Sequence, residues 1–327
     1  GGQLYDRLRG HGVLAVMILG MAASTALTPF IPLLWALAIV LFISGIAQGV
    51  LNIGGNVLLV WLHGRDVGSS MNALHFFFGV GTFVAPVIVA QFITGVDGLV
   101  WTYLFLAVII LPTALVALLP SPPSPYAVRQ SEGVRIDWWM ITLIALIFGC
   151  YSGGAVAFSG WIFTYVTELG LADATNAAYL TSLFWGALAV GRLAGIPIAA
   201  RLKPKTILWA DFILAFLSLL VMLAWPHSLS AAIFTSAALG LAFASIYPTT
   251  MALAGEIMAL SGKITGYFSL GNSAGTMLIP WVIGPLFEQA GPSSMIVVLL
   301  VVVLLALGVL WMLAQRTARR AQAASAA

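Results

Sequence analysis

The sequence predicts an all-α integral membrane protein with about ten transmembrane helices. Hydrophobic residues make up 61% of the chain and charged residues only 7%, whereas a typical soluble domain has about 25% charged residues. Apolar runs of bilayer-crossing length, which takes about 20 residues, follow one another with only short polar turns between them. The basic residues also fall in alternate turns, as the positive-inside rule requires of a multi-pass protein.

The composition argues against several functional classes. A net charge of +3 with no long basic run is typical of membrane topology and not of a nucleic-acid partner. The single cysteine, Cys150, lies in an apolar run, which excludes an intrachain disulfide and a paired-cysteine metal or redox site. The sequence has no HExxH motif, no phosphate loop and no paired carboxylates within a span. We therefore expect no enzymatic activity, no cofactor and no metal.

Short turns marked by Pro, Gly, Asn or charge separate the predicted spans. The longer connection at 120–137 is rich in Pro and Ser, as in a flexible cytoplasmic loop between two bundles. It divides the chain into an N-terminal bundle at 1–119 and a six-helix C-terminal bundle at 138–316, followed by an Ala-rich tail at 317–327 that is expected to be disordered. The ten spans are predicted at 12–32, 34–61, 68–94, 99–119, 138–168, 175–200, 206–226, 229–256, 263–288 and 293–315.

The basic residues predict the orientation, because retained positive charge marks the cytoplasmic side. With ten spans, all 13 Lys and Arg residues fall on one side, and the opposite turns carry only acids or no charge. Both ends of this chain are therefore predicted to be cytoplasmic, in a plasma (inner) membrane. The basic residues are Arg7, Arg9, Arg65, Arg129, Arg135, Arg192, Arg201, Lys203, Lys205, Lys263, Arg316, Arg319 and Arg320.

An internal repeat relates the two parts of the chain at an offset of 194 residues. Spans one to four repeat as spans seven to ten, and the partners of spans five and six would precede Gly1. We therefore expect two six-helix halves, with the first two helices missing. Parallel repeats of this kind are a transporter architecture, with a substrate site near the midplane between the halves. The aligned pairs are Arg7-Leu8 with Arg201-Leu202, Pro32 with Pro226, Gly81-Thr82 with Gly275-Thr276, and Pro86 with Pro280.

The segment GQLYDRLRGH at residues 2–11 resembles the loop signature of the major facilitator superfamily, in which a Gly precedes an Asp-Arg pair and further basic residues. In that family the signature lies between the second and third helices. The resemblance implies the major facilitator fold of two six-helix bundles, with helices 3–6 of that fold in the N-terminal bundle. It also implies that Asp6 and Arg7 form a cytoplasmic latch. An ordinary positive-inside loop is the alternative, because residues 9–11 depart from the family pattern.

Residues 45–86 resemble the fucose-permease and sodium-dependent glucose transporter branch of that superfamily. In this branch a helix with an acid or amide followed by Gly-Gly-Asn leads into a helix with a polar pair, here Asn72 and His75. The segment GRLAGIPIA at 191–199 carries the same resemblance, which implies a sugar substrate. Where the branch commonly has a carboxylate, this chain has Asn52, so this segment is expected to bind the sugar without driving its transport.

Amides within the second span are the first candidates for substrate contact. Gln48, Asn52 and Asn56 recur every four residues and form a stripe on one helix face. Because polar groups are costly against lipid, we expect them to face protein or water. The amides of Gln48 and Asn52, near mid-span, suit a hydroxyl-rich ligand. The alternative is that they hold helices together, aided by the close approach that Gly45 and Gly49 allow.

The second half supplies four further candidates. Tyr247 occupies the repeat position of an amide of the first half, and Asn272 falls at mid-span. Trp161 and Trp185 are candidates for stacking on the apolar face of a sugar ring. Packing against lipid or other helices is the alternative for each aromatic residue. The proline at 248 predicts a helix bend beside Tyr247.

Gating or coupling roles are predicted for polar groups nearer the cytoplasmic side. Asn56 and Asn72 are equally consistent with structural hydrogen bonding, and His75 is a candidate proton carrier or a satisfied hydrogen-bonding partner of Asn72.

The acids Asp211 and Glu256 lie at predicted cytoplasmic helix ends and are assigned to the latch. Arg192 lies near the end of the sixth span, where it either snorkels or pairs with one of these two acids. No Asp or Glu occupies the middle of a predicted span. Ion coupling would therefore use the missing helices, unless the protein is a uniporter.

The sequence thus predicts a secondary transporter, either a symporter or a uniporter, that moves a monosaccharide such as a hexose or deoxyhexose by alternating access. Its expected partners are the sugar, the lipid bilayer and a coupling ion, either a proton or sodium. Two alternatives stay open. One is facilitator-type efflux of an amphipathic small molecule, which an aromatic and weakly charged cavity also suits. The other is a truncated remnant that does not transport.

Overall fold

In the computed structural model, the described part of the chain consists of residues 8–63, 67–120, 137–199, 201–258 and 262–325. Only the backbone is described at residues 56, 57, 60, 61, 63, 67–73, 75, 76, 117, 262, 263, 265 and 319–325. Each of the ten predicted spans corresponds to one helix or to two consecutive helical segments, which confirms the all-α fold class. The helices are α1 Gly10–Leu27, α2 Leu34–His63, α3 Val67–Phe92, α4 Gly98–Ile110, α5 Trp138–Glu168, α6 Ala174–Ala199, α7 Pro204–Ala224, α8 Leu229–Ala244, α9 Ile246–Ile257, α10 Gly262–Ala290 and α11 Ser293–Ser325.

Eight helical stretches among the described residues are long and apolar enough to cross a membrane. The segments Thr28–Phe30 and Leu111–Leu118 are 3₁₀ helices that extend α1 and α4, and α3 contributes a shorter apolar stretch, Phe77–Phe92. A chain with this many membrane-length apolar helices in series is a multi-pass membrane protein.

The helix boundaries repeat at the offset predicted from the sequence. The starts of α1 and α7 are 194 residues apart, and those of α2 and α8, α3 and α10, and α4 and α11 are each 195 residues apart. The chain divides into two compact units, Gly1–Arg129 and Gln130–Ala327, and the related helices belong to different units. The structure therefore confirms the repeat in the order and starting positions of the helices.

In the N-terminal unit, α1 packs against α2, α4 and the 3₁₀ segment that follows α4. Gly10 permits the contact with α2, because a Cβ atom there would lie 2.5 Å from a methyl carbon of Leu58. Leu58 and Val13 are both buried at this contact. The His11 Nδ1 atom lies 3.2 Å from the Leu119 carbonyl oxygen, which connects the start of α1 to the end of the 3₁₀ segment.

In the C-terminal unit, α5 is the central helix and packs against α6, α9, α10 and α11. Its contact with α10 depends on glycines spaced four residues apart on both helices, Gly149 and Gly153 on α5 and Gly271 and Gly275 on α10. A Cβ atom on Gly275 would lie 2.0 Å from the Gly149 carbonyl oxygen, and one on Gly153 would lie 2.4 Å from the Gly275 carbonyl oxygen. The two backbones therefore touch, as small residues allow within membranes.

Hydroxyl groups inside the spans bond mainly to their own helices. Thr25 Oγ1 donates to the Met21 carbonyl oxygen at 2.8 Å, and Thr102 Oγ1 donates to the Gly98 carbonyl oxygen at 2.8 Å. Such bonds to the preceding turn satisfy a polar side chain where the bilayer offers no water. Hydroxyls that bond across helices instead are therefore informative about packing.

We expect Gly275→Ala to destabilise the protein by about 1–3 kcal/mol, because the added methyl group forces α5 and α10 apart. The measurement is the thermal unfolding midpoint of the detergent-solubilised protein. Gly160→Ala is the matched control, since Gly160 lies on α5 with no atom within 4 Å of an added Cβ. Equal midpoints for the two variants would contradict the backbone contact.

Candidate substrate site in the C-terminal unit

The eighth predicted span is broken at Ser245. The helix α8 ends at Ala244 and α9 begins at Ile246, with Ser245 at φ −96° and ψ −11°. Pro248 explains the break, because it has no N–H to donate to the Ala244 carbonyl oxygen one turn earlier. The predicted bend beside Tyr247 is therefore confirmed. The repeat-related helix α2 has Ile53 at the position of Pro248 and continues unbroken.

The side-chain carboxylate of Asp211, on α7, contacts the helix at this break. Ser245 Oγ donates a hydrogen bond to Asp211 Oδ2 at 2.5 Å. Asp211 lies seven residues inside α7, deeper than the helix-end position expected from the sequence. Among the described residues, Arg192 forms no ion pair with Asp211 or Glu256; the ion pair found there joins Arg316 to Asp137. Asp211 is thus held by a hydroxyl and not by a cation.

Five aromatic rings from four helices meet beside the break. The Tyr247 ring centroid is 5.0 Å from that of Phe148 and 6.4 Å from that of Tyr151. Phe148 also meets Phe268 at 5.6 Å, and Tyr151 meets Phe243 at 5.8 Å. We call these five residues the tyrosine cluster. Tyr247 is 41% exposed and Tyr151 only 6% exposed, so Tyr247 presents the accessible surface of the cluster.

The other polar group at mid-span in α10, Asn272, is bound to α5. The Ser152 hydroxyl donates to Asn272 Oδ1, next to the glycine contacts between the two helices. Because this oxygen is engaged by Ser152, the amide nitrogen of Asn272 keeps two N–H donors for another partner. The side chain of Asn272 is half-buried.

The structure therefore brings Tyr247 and Asn272 to consecutive residues of α5, Tyr151 and Ser152. Arg192 is half-buried on α6. The convergence on α5 combines an apolar aromatic surface, amide donors and a phenol. Such groups recognise a neutral ligand that has both C–H faces and hydroxyls.

The two tryptophan candidates lie at the edge of this arrangement. The Trp161 Nε1–H donates to the Pro280 carbonyl oxygen at 3.3 Å, and its ring lies 5.0 Å from that of Phe287. Trp161 is nine residues beyond Ser152, which is about 14 Å along α5. Trp185 meets the Phe184 ring edge-on at 5.2 Å. Both have the contacts of helix packing, and their stacking on a sugar stays a prediction.

The remaining candidates are two amides of the N-terminal unit, Glu256 in α9, and five residues whose side chains are not described. Gln48 and Asn52 are exposed on α2. No described atom lies within 4 Å of a Cβ placed on Gly45 or Gly49, so close helix packing at these glycines finds no support. Glu256 is exposed in the last turn of α9. The side chains of Asp6, Arg7, Asn56, Asn72 and His75 lie outside the described residues.

Sequence reasoning missed Tyr151 and Ser152, together with the partner that Ser245 provides for Asp211. The signal for Ser152 was present, since a serine at mid-span follows the same argument that singled out Asn272. The four-residue spacing of Gly149 with Gly153, and of Gly271 with Gly275, also indicated which faces of α5 and α10 meet.

These features define a class of protein. It is a multi-pass helical bundle with an internal repeat, a helix broken at mid-span and polar groups gathered at the break, as in secondary transporters. The sequence profile of the Major Facilitator Superfamily matches residues 1–259 of the chain. The chain belongs to the Major Facilitator Superfamily.

Among curated proteins, the chain is 28% identical over 318 residues to sodium-dependent glucose transporter 1 of Xenopus laevis, which covers 87% of this chain and 64% of that protein. The human protein of the same name is 26% identical over 325 residues, and the match covers 87% of this chain and 62% of the human protein. A TsgA homologue of Erwinia tasmaniensis is 27% identical over 289 residues, and the match covers 86% of this chain and 71% of that protein. The chain thus spans less than two thirds of these two glucose transporters. The resemblance to the branch named above is confirmed.

Solved structures of the superfamily share the fold. A bacterial homologue of the human lysosomal transporter Spinster, inward-facing and occupied, superposes with a TM-score of 0.69 at 12% identity, covering 93% of this chain and 82% of that chain. The transporter FucP in the outward conformation gives a TM-score of 0.60 at 19% identity, and the superposition covers 94% of this chain and 83% of the FucP chain. The major facilitator fold is therefore confirmed.

We expect Ser152→Ala to destabilise the protein by about 0.6 kcal/mol, and by no more than about 1.7 kcal/mol, which is the range for interhelical hydrogen bonds in membranes. Ser159→Ala is the control on the same helix, because Ser159 Oγ bonds within α5, to the Val156 carbonyl oxygen at 3.3 Å. Thermal unfolding in detergent measures both. Equal loss in the two variants would show that the bond to Asn272 adds no stability.

Proposed function

We propose that this chain belongs to a secondary transporter that moves a monosaccharide, such as a hexose or deoxyhexose, by alternating access. Family membership supports transport, and two of the relatives are named sodium-dependent glucose transporters. In this proposal the membrane is the plasma (inner) membrane and both ends of the chain are cytoplasmic, as the distribution of Lys and Arg predicts.

The observation that carries the proposal is the convergence of Tyr247 and Asn272 on α5. A pyranose ring has an apolar C–H face and a rim of hydroxyls. The Tyr247 ring, 41% exposed, suits the C–H face. The Asn272 amide, whose oxygen accepts from Ser152, keeps its N–H groups for a sugar oxygen. The broken helix supports the same site, since interrupted helices mark substrate sites in transporters.

The N-terminal unit contributes Gln48 and Asn52 in this proposal. Both amides are exposed on α2, and Asn52 corresponds through the repeat to Tyr247. Each of these amides has N–H donors and an acceptor oxygen, a combination that suits a hydroxyl-rich ligand.

Asp211 is the residue we assign to coupling. Its carboxylate is half-buried and bound to Ser245 at the helix break, so a change in its charge acts directly on the irregular part of the helix. Arg192, Glu256, Asp6 and Arg7 keep their predicted gating roles. The driving ion in this proposal is a proton or sodium.

Sugar uptake by proteoliposomes containing the full-length protein tests the site. We expect Tyr247→Ala to raise the KM for the sugar about tenfold, since about 1.4 kcal/mol of lost contact corresponds to a tenfold change in affinity. Asn272→Ala should have a smaller effect, because a neutral hydrogen bond contributes about 0.5–1.5 kcal/mol.

The control for this experiment is Tyr103→Ala, because Tyr103 is a tyrosine of another helix, α4, and is not one of the residues proposed to contact the sugar. Unchanged uptake in both Tyr247→Ala and Asn272→Ala would refute the site. A fluorescence change on adding an amphipathic compound, with no competition from sugars, would favour the efflux alternative.

Asp211→Asn separates coupling from binding. Asn keeps an acceptor oxygen for Ser245 and removes the charge. We expect uphill accumulation of the sugar to be lost while sugar exchange at equal concentrations continues. Ser245→Ala, which keeps the charge and removes the hydrogen bond, is the comparison variant. Uphill accumulation that survives in Asp211→Asn would exclude Asp211 as the coupling group.

A further inference from the structure

An apolar groove runs along the exposed face of α11. Six residues of this one helix line an open depression of ≈ 300 Å³, and a second open depression of ≈ 430 Å³ between α10 and α11 shares Val301 with it. Gly308 has no side chain and no atom lies within 4 Å of a Cβ placed there, so it leaves a notch in the helix surface at the middle of the groove. The lining residues of the first depression are Val301, Leu304, Leu305, Gly308, Val309 and Met312.

The groove leads to positive charge. Arg316 lies one turn beyond Met312, on the same face of α11 as Gly308 and Met312. The Arg316 side chain is 43% exposed, and its Nη2 donates to Asp137 Oδ2 at 3.3 Å. The next residue, Thr317, accepts a hydrogen bond from Lys205 Nζ of α7. Along α11 the groove is therefore followed by two cations from different helices, Arg316 itself and the Lys205 that binds Thr317.

Two more cations precede Lys205 closely in the chain. Arg201 and Lys203 are exposed just before α7, and we call them, with Lys205 and Arg316, the basic cluster. Among the described residues, Asp137 is the carboxylate that forms an ion pair with this cluster. The surface therefore has an excess of positive charge. Trp311, 56% exposed next to Met312, is typical of a side chain at the boundary between lipid headgroups and acyl chains.

We propose that this surface binds an anionic phospholipid, with an acyl chain in the α11 groove and the phosphate headgroup at the basic cluster. The groove from Val301 to Met312 is about 16 Å long, and the notch of one glycine is narrower than a helix of about 10 Å diameter. A slender acyl chain fits it better than a protein helix does. Basic pockets between helices are known to favour anionic headgroups. This site is independent of the sugar proposal.

The test compares phosphatidylglycerol with phosphatidylcholine of the same acyl chains, added to the full-length protein in detergent. Native mass spectrometry counts bound lipid, and thermal unfolding measures stabilisation. Phosphatidylglycerol should bind saturably and raise the unfolding midpoint, because a ligand that binds only the folded state stabilises it. Phosphatidylcholine should do neither. Equal effects of the two lipids would overturn the proposal, and so would the same stabilisation by inorganic phosphate alone.

Variants test the two parts of the site separately. Arg316→Gln and Lys205→Gln should each weaken phosphatidylglycerol binding about fivefold, as expected for one cation near a lipid surface. Asp137→Asn is the control for the ion pair, because it keeps the helix cap and leaves the Arg316 charge in place. Its lipid binding should be unchanged or tighter. A loss in Asp137→Asn equal to that in Arg316→Gln would assign the effect to the ion pair and overturn the headgroup site.

The groove is tested by filling it. Gly308→Leu should reduce the number of bound lipids and the stabilisation by phosphatidylglycerol. Gly160→Leu is the matched control, since Gly160 is also an exposed helical glycine with open space around it. Unchanged phosphatidylglycerol binding in Gly308→Leu would show that the groove is not the acyl-chain site.

Discussion

The contact between the backbones of α5 and α10 is the constraint on which the C-terminal unit depends. Within a bilayer, helices gain little from the hydrophobic effect, so close packing and a few hydrogen bonds must hold them together. The paired glycines of α5 and α10 bring a Cβ position on Gly275 to within 2.0 Å of the Gly149 carbonyl oxygen. This contact places the Ser152 hydroxyl against Asn272 and positions Tyr151 in the tyrosine cluster beside Tyr247.

The break in the helix at Ser245 is the second feature that the candidate site requires. A proline at 248 frees a backbone carbonyl group where the bilayer supplies no water, so such irregular backbone is tolerated only where protein or a cavity surrounds it. Here Asp211 binds the Ser245 side chain, and the Tyr247 ring packs on Phe148. The same residues therefore stabilise the irregular segment and present the chemistry of the site. That coincidence is expected when local structure has been shaped by function.

The predicted cytoplasmic end of the C-terminal unit is organised by charge. The Asp137 carboxylate caps α5 by accepting from the Trp139 and Met140 N–H groups, and it also pairs with Arg316 of α11. Lys205 connects α7 to α11 through Thr317. These contacts tie the starts of α5 and α7 to α11 where its apolar groove terminates. Helix starts and net positive charge thus coincide in one region of the C-terminal unit.

The sequence by itself determined the number and order of the helices, their repeat and the break beside Tyr247. Hydropathy, charge and proline act over one or two helical turns, so they can be read locally. The partners across helices were decided only by the tertiary structure. Asn272 meets Ser152, 120 residues away, and Asp211 meets Ser245, 34 residues away. No local pattern encodes the crossing position of two helices, because it depends on how their whole surfaces pack.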